Sequence, residues 1–113
     1  MIKIYHNPRC SKSREGICEL DDINQPYEVI KYIENPLSKE ELIDILKKLN
    51  YKPIELVRTN ESVWIENYKG KILSDNDIIE AMIKNPKLIE RPIVINGEKA
   101  VIARPTELIN EVL

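Results

Sequence analysis

Cysteine and histidine are scarce in this chain: among 113 residues there are two of the first, Cys10 and Cys18, and one of the second, His6. Two thiols are too few for the disulfide framework of a small secreted domain, and with a single imidazole they do not make up a structural zinc set. They are also badly spaced to pair. If a helix begins near Cys10, eight residues of rise set the two Cα atoms roughly 12 Å apart, whereas a disulfide needs about 7 Å or less. Any redox role therefore falls to one of them singly. Excess charge of either sign is missing too. Lys and Arg number 17 against 19 Asp and Glu, a net charge of -2, which offers no electrostatic footprint to a nucleic-acid backbone or an anionic membrane. No apolar run reaches the length of a membrane span, and the opening residues lack the apolar core and small-residue cleavage site of a secretory leader. The expectation is a cytoplasmic protein with neither nucleic acid nor membrane as partner. No repeat, low-complexity tract or linker interrupts it, and 113 residues with 42% hydrophobic content suffice for one domain, 1–113, around one core.

What is present has a clear order. Ile2, Ile4 and Tyr5 form a short strand that Asn7-Pro8 ends with a turn. After Cys10 the period changes: Ile17, Leu20 and Ile23 recur every three residues without proline, which predicts a helix over about 11–23. Cys18, beside Ile17 and Leu20, reads as an inert packed thiol. Tyr27, Val29, Ile30, Tyr32 and Ile33 make a β-rich run, and a strand-helix-strand connection of this length implies a parallel pair. From Asn35-Pro36 to Asn85-Pro86 the pattern is helical. Ser38 with Glu41 is a capping box, followed by Leu42, Ile45, Leu46 and Leu49 on one face of a helix over 39–49. Pro53 opens a short helix at its first turn, and Ser74 with Asp77 caps another that presents Ile78, Ile79 and Met82 and stops at Pro86. Residues 64–73 read as irregular, with Gly70 at a turn. The tail returns to strands, RPIVI and KAVIA around Asn96-Gly97, a hairpin signal. Pro105 and Thr106 then open a last helix with Leu108, Ile109, Val112 and Leu113 facing inward. The whole is α/β: β-α-β, a helical segment, then β-β-α.

The chemistry concentrates in HNPRCSKSR. A cysteine where a strand turns into a helix has its sulfur near unpaired N–H groups and the positive end of the helix dipole, which favours thiolate. Arg9 and Arg14 add positive potential and His6 lies near in sequence; Ser11, Ser13 and Arg14 complete the thiol loop. The competing reading of Cys10 as a small buried hydrophobe fits its polar, basic neighbours less well, and His6 alone is equally a strand-end histidine. Only five residues are arginine, and besides Arg9 and Arg14 they are Arg58, Arg91 and Arg104, each beside an apolar residue or proline. A planar fork with five donors suits bidentate grip on an oxyanion, although each is also a ready partner for a surface carboxylate. Arg91 and Arg104 bracket the hairpin, whose two ends lie together. Pro92 fits the first position of a strand, and in some folds a cis-proline there faces a reactive thiol; the residues alone leave both open.

Taken together, HNPRCSKSRE, LVRTNE and NPKLIERPIVINGEKAVIARPTE resemble, over essentially the whole chain, the arsenate reductases of the glutaredoxin-linked, thioredoxin-fold type. The loop, with Arg9 before the cysteine and Ser11 and Lys12 after it, is closest to that family's reductase-like sister group. The resemblance implies a thioredoxin-like fold with a mixed four-stranded sheet. It places the core at 1–34 and 86–113 and an inserted all-helical segment at 35–85. It implies Cys10 as nucleophile, His6 as modulator of its pKa, Arg58, Arg91 and Arg104 as an oxyanion clamp, and Pro92 in cis. No bound cofactor or metal is implied; glutathione is the co-substrate, glutaredoxin the protein partner, and an arsenate-like oxyanion the substrate. In the implied reaction Cys10 attacks arsenic, glutathione attacks the adduct, arsenite leaves after two-electron reduction, and glutaredoxin restores the thiol. Two other readings compete. One is a monothiol, glutaredoxin-like enzyme acting on glutathione mixed disulfides, for which Cys10 and Ser13 have suitable spacing. The other is a non-enzymatic regulator of the Spx type that binds RNA polymerase, whose redox-controlled members carry a second cysteine where Ser13 stands.

Overall fold

The computed structural model describes residues 1–113 and divides them into two compact units, Met1–Asn35 with Arg91–Leu113, and Pro36–Glu90. In the first unit, β1 (Ile2–Tyr5) leads through α1 (Ser11–Ile23) to β2 (Tyr27–Ile30), and the chain returns with β3 (Ile93–Asn96) and β4 (Lys99–Ile102). The sheet order is β2-β1-β3-β4. β1 and β2 are parallel, whereas β1–β3 and β3–β4 are antiparallel. This is the mixed four-stranded sheet of the thioredoxin-like fold. Ile2, Ile4, Leu20, Val94, Ala103, Ile109 and Val112 form its buried core, joined at the margin by Ile17, Ile23, Tyr27 and Val101.

Helix α1 buries Ser13, Gly16 and Leu20, a stripe at spacings of three and four residues, as an amphipathic helix requires. Cys18 lies off that stripe and is exposed, so the packed-thiol reading of it fails: its sequence neighbours are apolar, but a helix turns about 100° per residue. The helix ends at Asn24 in the left-handed conformation, φ 61°. Gly16 is closely approached by two side chains. A Cβ there would lie 3.1 Å from Ile4 Cδ1 and 3.1 Å from Pro92 Cγ.

Three further expectations shift. The β-rich run stops at Ile30, because β1 offers pairing only as far as Tyr5; after the last ladder bond, His6 N–H to Ile30 O at 2.8 Å, the chain turns over Lys31–Asn35. In the hairpin Asn96 pairs with Lys99, so the two-residue loop is Gly97-Glu98, with Gly97 at φ 64°, as a first loop position with positive φ favours. The closing helix over Thr106–Val112 is of the 3-10 type. Its three-residue period puts Ile109 and Val112 on one side and leaves Leu113 40% exposed.

In the second unit, α2 (Lys39–Leu49) and α4 (Asp75–Lys84) both begin with capping boxes, Ser38 with Glu41 and Ser74 with Asp77. A 3-10 turn over Pro53–Leu56 has Pro53 in its first turn. Residues 64–73 are not wholly irregular: α3 (Ser62–Asn67) occupies part of them and buries Trp64, which stacks on Tyr68 with ring centroids 5.3 Å apart. Residues 86–90 also belong to this unit. A bridge joins Val57 and Ile89, and Glu90 N–H donates to Leu56 O at 2.9 Å, so the boundary falls after Glu90 and not after residue 85.

Candidate active site

The strand register converges four chain segments at one edge of the sheet. Ile30, Tyr5, Ile93 and Ile102 form a single row across β2, β1, β3 and β4. Two residues beyond that row stand Tyr32, Asn7, Arg91 and Arg104. Parallel β1 and β2 end at this edge, β3 starts there and β4 ends there, so arginines distant in sequence meet the loop that carries the thiol.

Cys10 is the N-cap residue of α1, in extended conformation at φ -94° and ψ 121°. Its own N–H donates to Asn7 O at 3.0 Å, and its carbonyl accepts from Arg14 N–H at 3.0 Å. Partial burial alone would push the thiol pKa up. It is held below the ordinary value instead, by the backbone N–H of Ser13, by a hydrogen bond and the charge of Arg91, and by the N–H of Lys12. These two N–H groups are unpaired donors of the first helical turn, which an anion at the N-cap satisfies. Arg104 Nη2 lies 3.4 Å from the sulfur.

The two guanidiniums are themselves held. Arg91 is 9% exposed. Burial opposes its charge, but its pKa is nevertheless raised, chiefly through its interaction with Cys10. Arg104 Nε donates to Arg91 O at 2.7 Å, so the side chain of one arginine is tied to the backbone of the other. Both arginines precede cis peptide bonds, Arg91-Pro92 and Arg104-Pro105.

The ring of His6 is buried and its Nδ1 lies 2.7 Å from Ser13 Oγ. That hydroxyl also accepts from Asn7 N–H at 2.9 Å. Burial, with the charges of Lys31 and Arg14, outweighs Ser13 and holds the His6 pKa below its ordinary value. His6 therefore reaches Ser13, whose N–H acts on the sulfur, and any influence on Cys10 passes through the placement of that residue. Arg14 staples the loop, Nη1 to Pro8 O at 2.8 Å, and Arg9 N–H donates to Asn7 Oδ1 at 3.0 Å. Ser11 and the Arg9 side chain are exposed, and Lys12 pairs with Glu15 at 3.4 Å in solvent. Arg58 belongs to the helical unit. There its N–H donates to Leu88 O at 2.7 Å, Nε faces Glu61 at 3.6 Å, and Nη1 is buried with no hydrogen-bond partner.

Reading the sequence alone misses Tyr32, taken there as one more strand residue. It misses Gly16 and the second cis-proline, Pro105, as well.

An activated thiol at the first strand-to-helix corner of this sheet, with a cis-proline heading the third strand, defines a thiol oxidoreductase of thioredoxin-like fold. The model of the ArsC family matches residues 5–112. The uncharacterized protein YfgD of Escherichia coli is 45% identical over 99% of this chain and 96% of its own. An arsenate reductase of Neisseria meningitidis is 40% identical over 99% of this chain and 97% of its own. The structure of an arsenate reductase from Vibrio cholerae superposes with a TM-score of 0.94 at 40% identity, covering 99% of this chain and 97% of that one. The chain belongs to the ArsC family.

Proposed function

We propose that this protein reduces arsenate to arsenite through Cys10, with glutathione as co-substrate and glutaredoxin as the protein that restores the thiol. One observation carries the reading: the Cys10 sulfur lies 3.4 Å from Arg104 Nη2, with the charge of Arg91 helping to hold its thiol pKa down. Two fixed guanidiniums beside a thiolate favour an anion at the reacting atom, and forked donors match the tetrahedral edge of an arsenate. Arg58 enters as a third guanidinium on the likeness of LVRTNE alone.

The thiolate attacks arsenic, a sulfur–arsenic bond forms and an oxygen leaves as water after protonation. Positive charge that is already in place stabilises the charge developing on the remaining oxygens. A glutathione thiolate then attacks the Cys10 sulfur. The sulfur–arsenic bond breaks with its electron pair on arsenic, so As(V) becomes As(III) and leaves as arsenite, and Cys10 is left as a mixed disulfide with glutathione. Glutaredoxin takes the glutathionyl group and returns the free thiol. Arsenite formation in the presence of glutathione and glutaredoxin tests this: the parent turns over, and Cys10→Ser stays at background. Equal arsenite from both would overturn it.

A further inference from the structure

Asn7 lies between β1 and α1 and touches none of the reacting atoms in the scheme above, yet it holds three residues of the thiol loop at once. Its carbonyl accepts from Cys10 N–H at 3.0 Å, which closes a turn with Pro8 and Arg9 at the central positions. Its side-chain Oδ1 accepts from Arg9 N–H at 3.0 Å, and its own N–H donates to Ser13 Oγ at 2.9 Å. Asparagine before proline suits such a turn, because Oδ1 reaches the N–H two residues on while the proline ring presets the next φ. Both peptide groups that lead into Cys10 therefore hang on Asn7 by their N–H. The first of them is held at its other end as well, where Pro8 O accepts from Arg14 Nη1 at 2.8 Å. On the helical side Cys10 O accepts from Arg14 N–H at 3.0 Å, and the Cys10 side chain makes no capping bond of its own. The direction of its Cα–Cβ bond is thus set by backbone on either side, and the sulfur meets a guanidinium from a distant segment, Arg104 Nη2, at 3.4 Å.

We infer that Asn7 is a positioning residue, whose side-chain oxygen fixes the turn before Cys10 and so aims the Cys10 sulfur at Arg104 Nη2. An alanine at this place would leave Arg9 N–H to water and the Pro8–Arg9 peptide held at its carbonyl end alone. An aspartate would keep the turn but bring a second negative charge near the thiolate. The amide supplies the acceptor without the charge. The inference rests on the reading of Cys10 as the reacting sulfur, and its test is kept separate from arsenate chemistry.

The test measures the rate of Cys10 alkylation by iodoacetamide against pH, in a Cys18→Ser background because Cys18 is also exposed. The charged and titratable groups around the sulfur, Arg91, Arg104, Arg14, Lys12 and His6, are common to every arm. Asn7→Ala removes the Oδ1 bond and leaves both backbone bonds of Asn7, so the fold is kept, which a cooperative urea transition checks. Its pH midpoint should rise by about half a unit, the scale of one neutral hydrogen bond. Asn7→Ser restores a shorter acceptor that makes the same turn more weakly, and its midpoint should fall between those of the parent and Asn7→Ala. Ile109→Val trims a buried side chain of the sheet core and lowers stability without touching the loop, so its midpoint should equal the parent's. A parent-like midpoint for Asn7→Ala overturns the inference. So does a serine variant no different from the alanine one, because the shift would then not come from the acceptor, and so does an equal shift in Ile109→Val, which would mark it as general loosening. If the parent reduces no arsenate the proposed function falls, while these arms still decide the role of Asn7.

Discussion

Replacing Arg91 with alanine removes the charged side chain that, after the N–H of Ser13, does most to hold the Cys10 thiol pKa down. In the native site its guanidinium opposes the burial of the thiol with both a hydrogen bond and a charge. A hydrogen bond to a charged group contributes about 1.5–3 kcal/mol, which at about 1.4 kcal/mol per pH unit corresponds to roughly 1–2 units. Cys10 is only partly buried, so solvent screening reduces this to about one unit. Arg104 at 3.4 Å and the N–H groups of Lys12 and Ser13 remain, and the thiol should stay below the value of a free cysteine. Alkylation of the Cys18→Ser protein across a pH series measures the midpoint directly. At neutral pH the Arg91→Ala rate should fall by up to about tenfold. An unchanged or lowered midpoint would refute the assignment of Arg91 as the group that holds the thiolate.

Other expected outcomes follow from single contacts. In Gly16→Ala the new Cβ meets Ile4 Cδ1 and Pro92 Cγ at 3.1 Å each. Overpacking of about 1–3 kcal/mol exceeds the helix-propensity gain of about 1 kcal/mol, so the urea midpoint should drop; a rise would show that the neighbours yield freely. His6 has a folded pKa below its unfolded value of 6.5, so as pH falls the unfolded chain takes up the proton first. Its contribution to stability is complete above about 6.5 and is lost as pH falls through the folded pKa. Urea unfolding across that range should show a slope that His6→Gln flattens, and equal slopes would contradict the buried neutral imidazole. Arg58→Ala should abolish arsenate turnover while leaving formation of a Cys10–glutathione disulfide from an activated glutathione donor intact, and full arsenate turnover would remove Arg58 from the clamp.

Much of this architecture is legible in the chain because its signals are local. Ser38 with Glu41 and Ser74 with Asp77 announce two helices through bonds spanning three residues. The change of period after Cys10 marks the corner where the thiol sits, and the hairpin letters bring Arg91 and Arg104 to one sheet edge. The failures depend on partners that sequence spacing does not show. Tyr32 looks like strand until β1 runs out of residues to pair with. Cys18 looks packed because its apolar neighbours in sequence point elsewhere on the helix. The six residues of α3 are too few to carry a periodic pattern; such a helix forms through packing and not through propensity, and Trp64 is the side chain it buries. The bond from His6 to Ser13 crosses the strand-helix corner, and only the folded geometry reveals that the imidazole meets a hydroxyl and not the sulfur.

The central claim is that the Cys10 thiolate takes its oxidising equivalents from arsenate and passes them to glutathione. Intact-mass measurement of the Cys18→Ser protein after a single turnover, with glutathione present, glutaredoxin omitted and arsenate either added or left out, tests it most directly. A glutathionyl adduct should accumulate on Cys10 only where arsenate is present, in step with the arsenite released. An adduct that forms equally without arsenate, or arsenite without an adduct, would contradict the account.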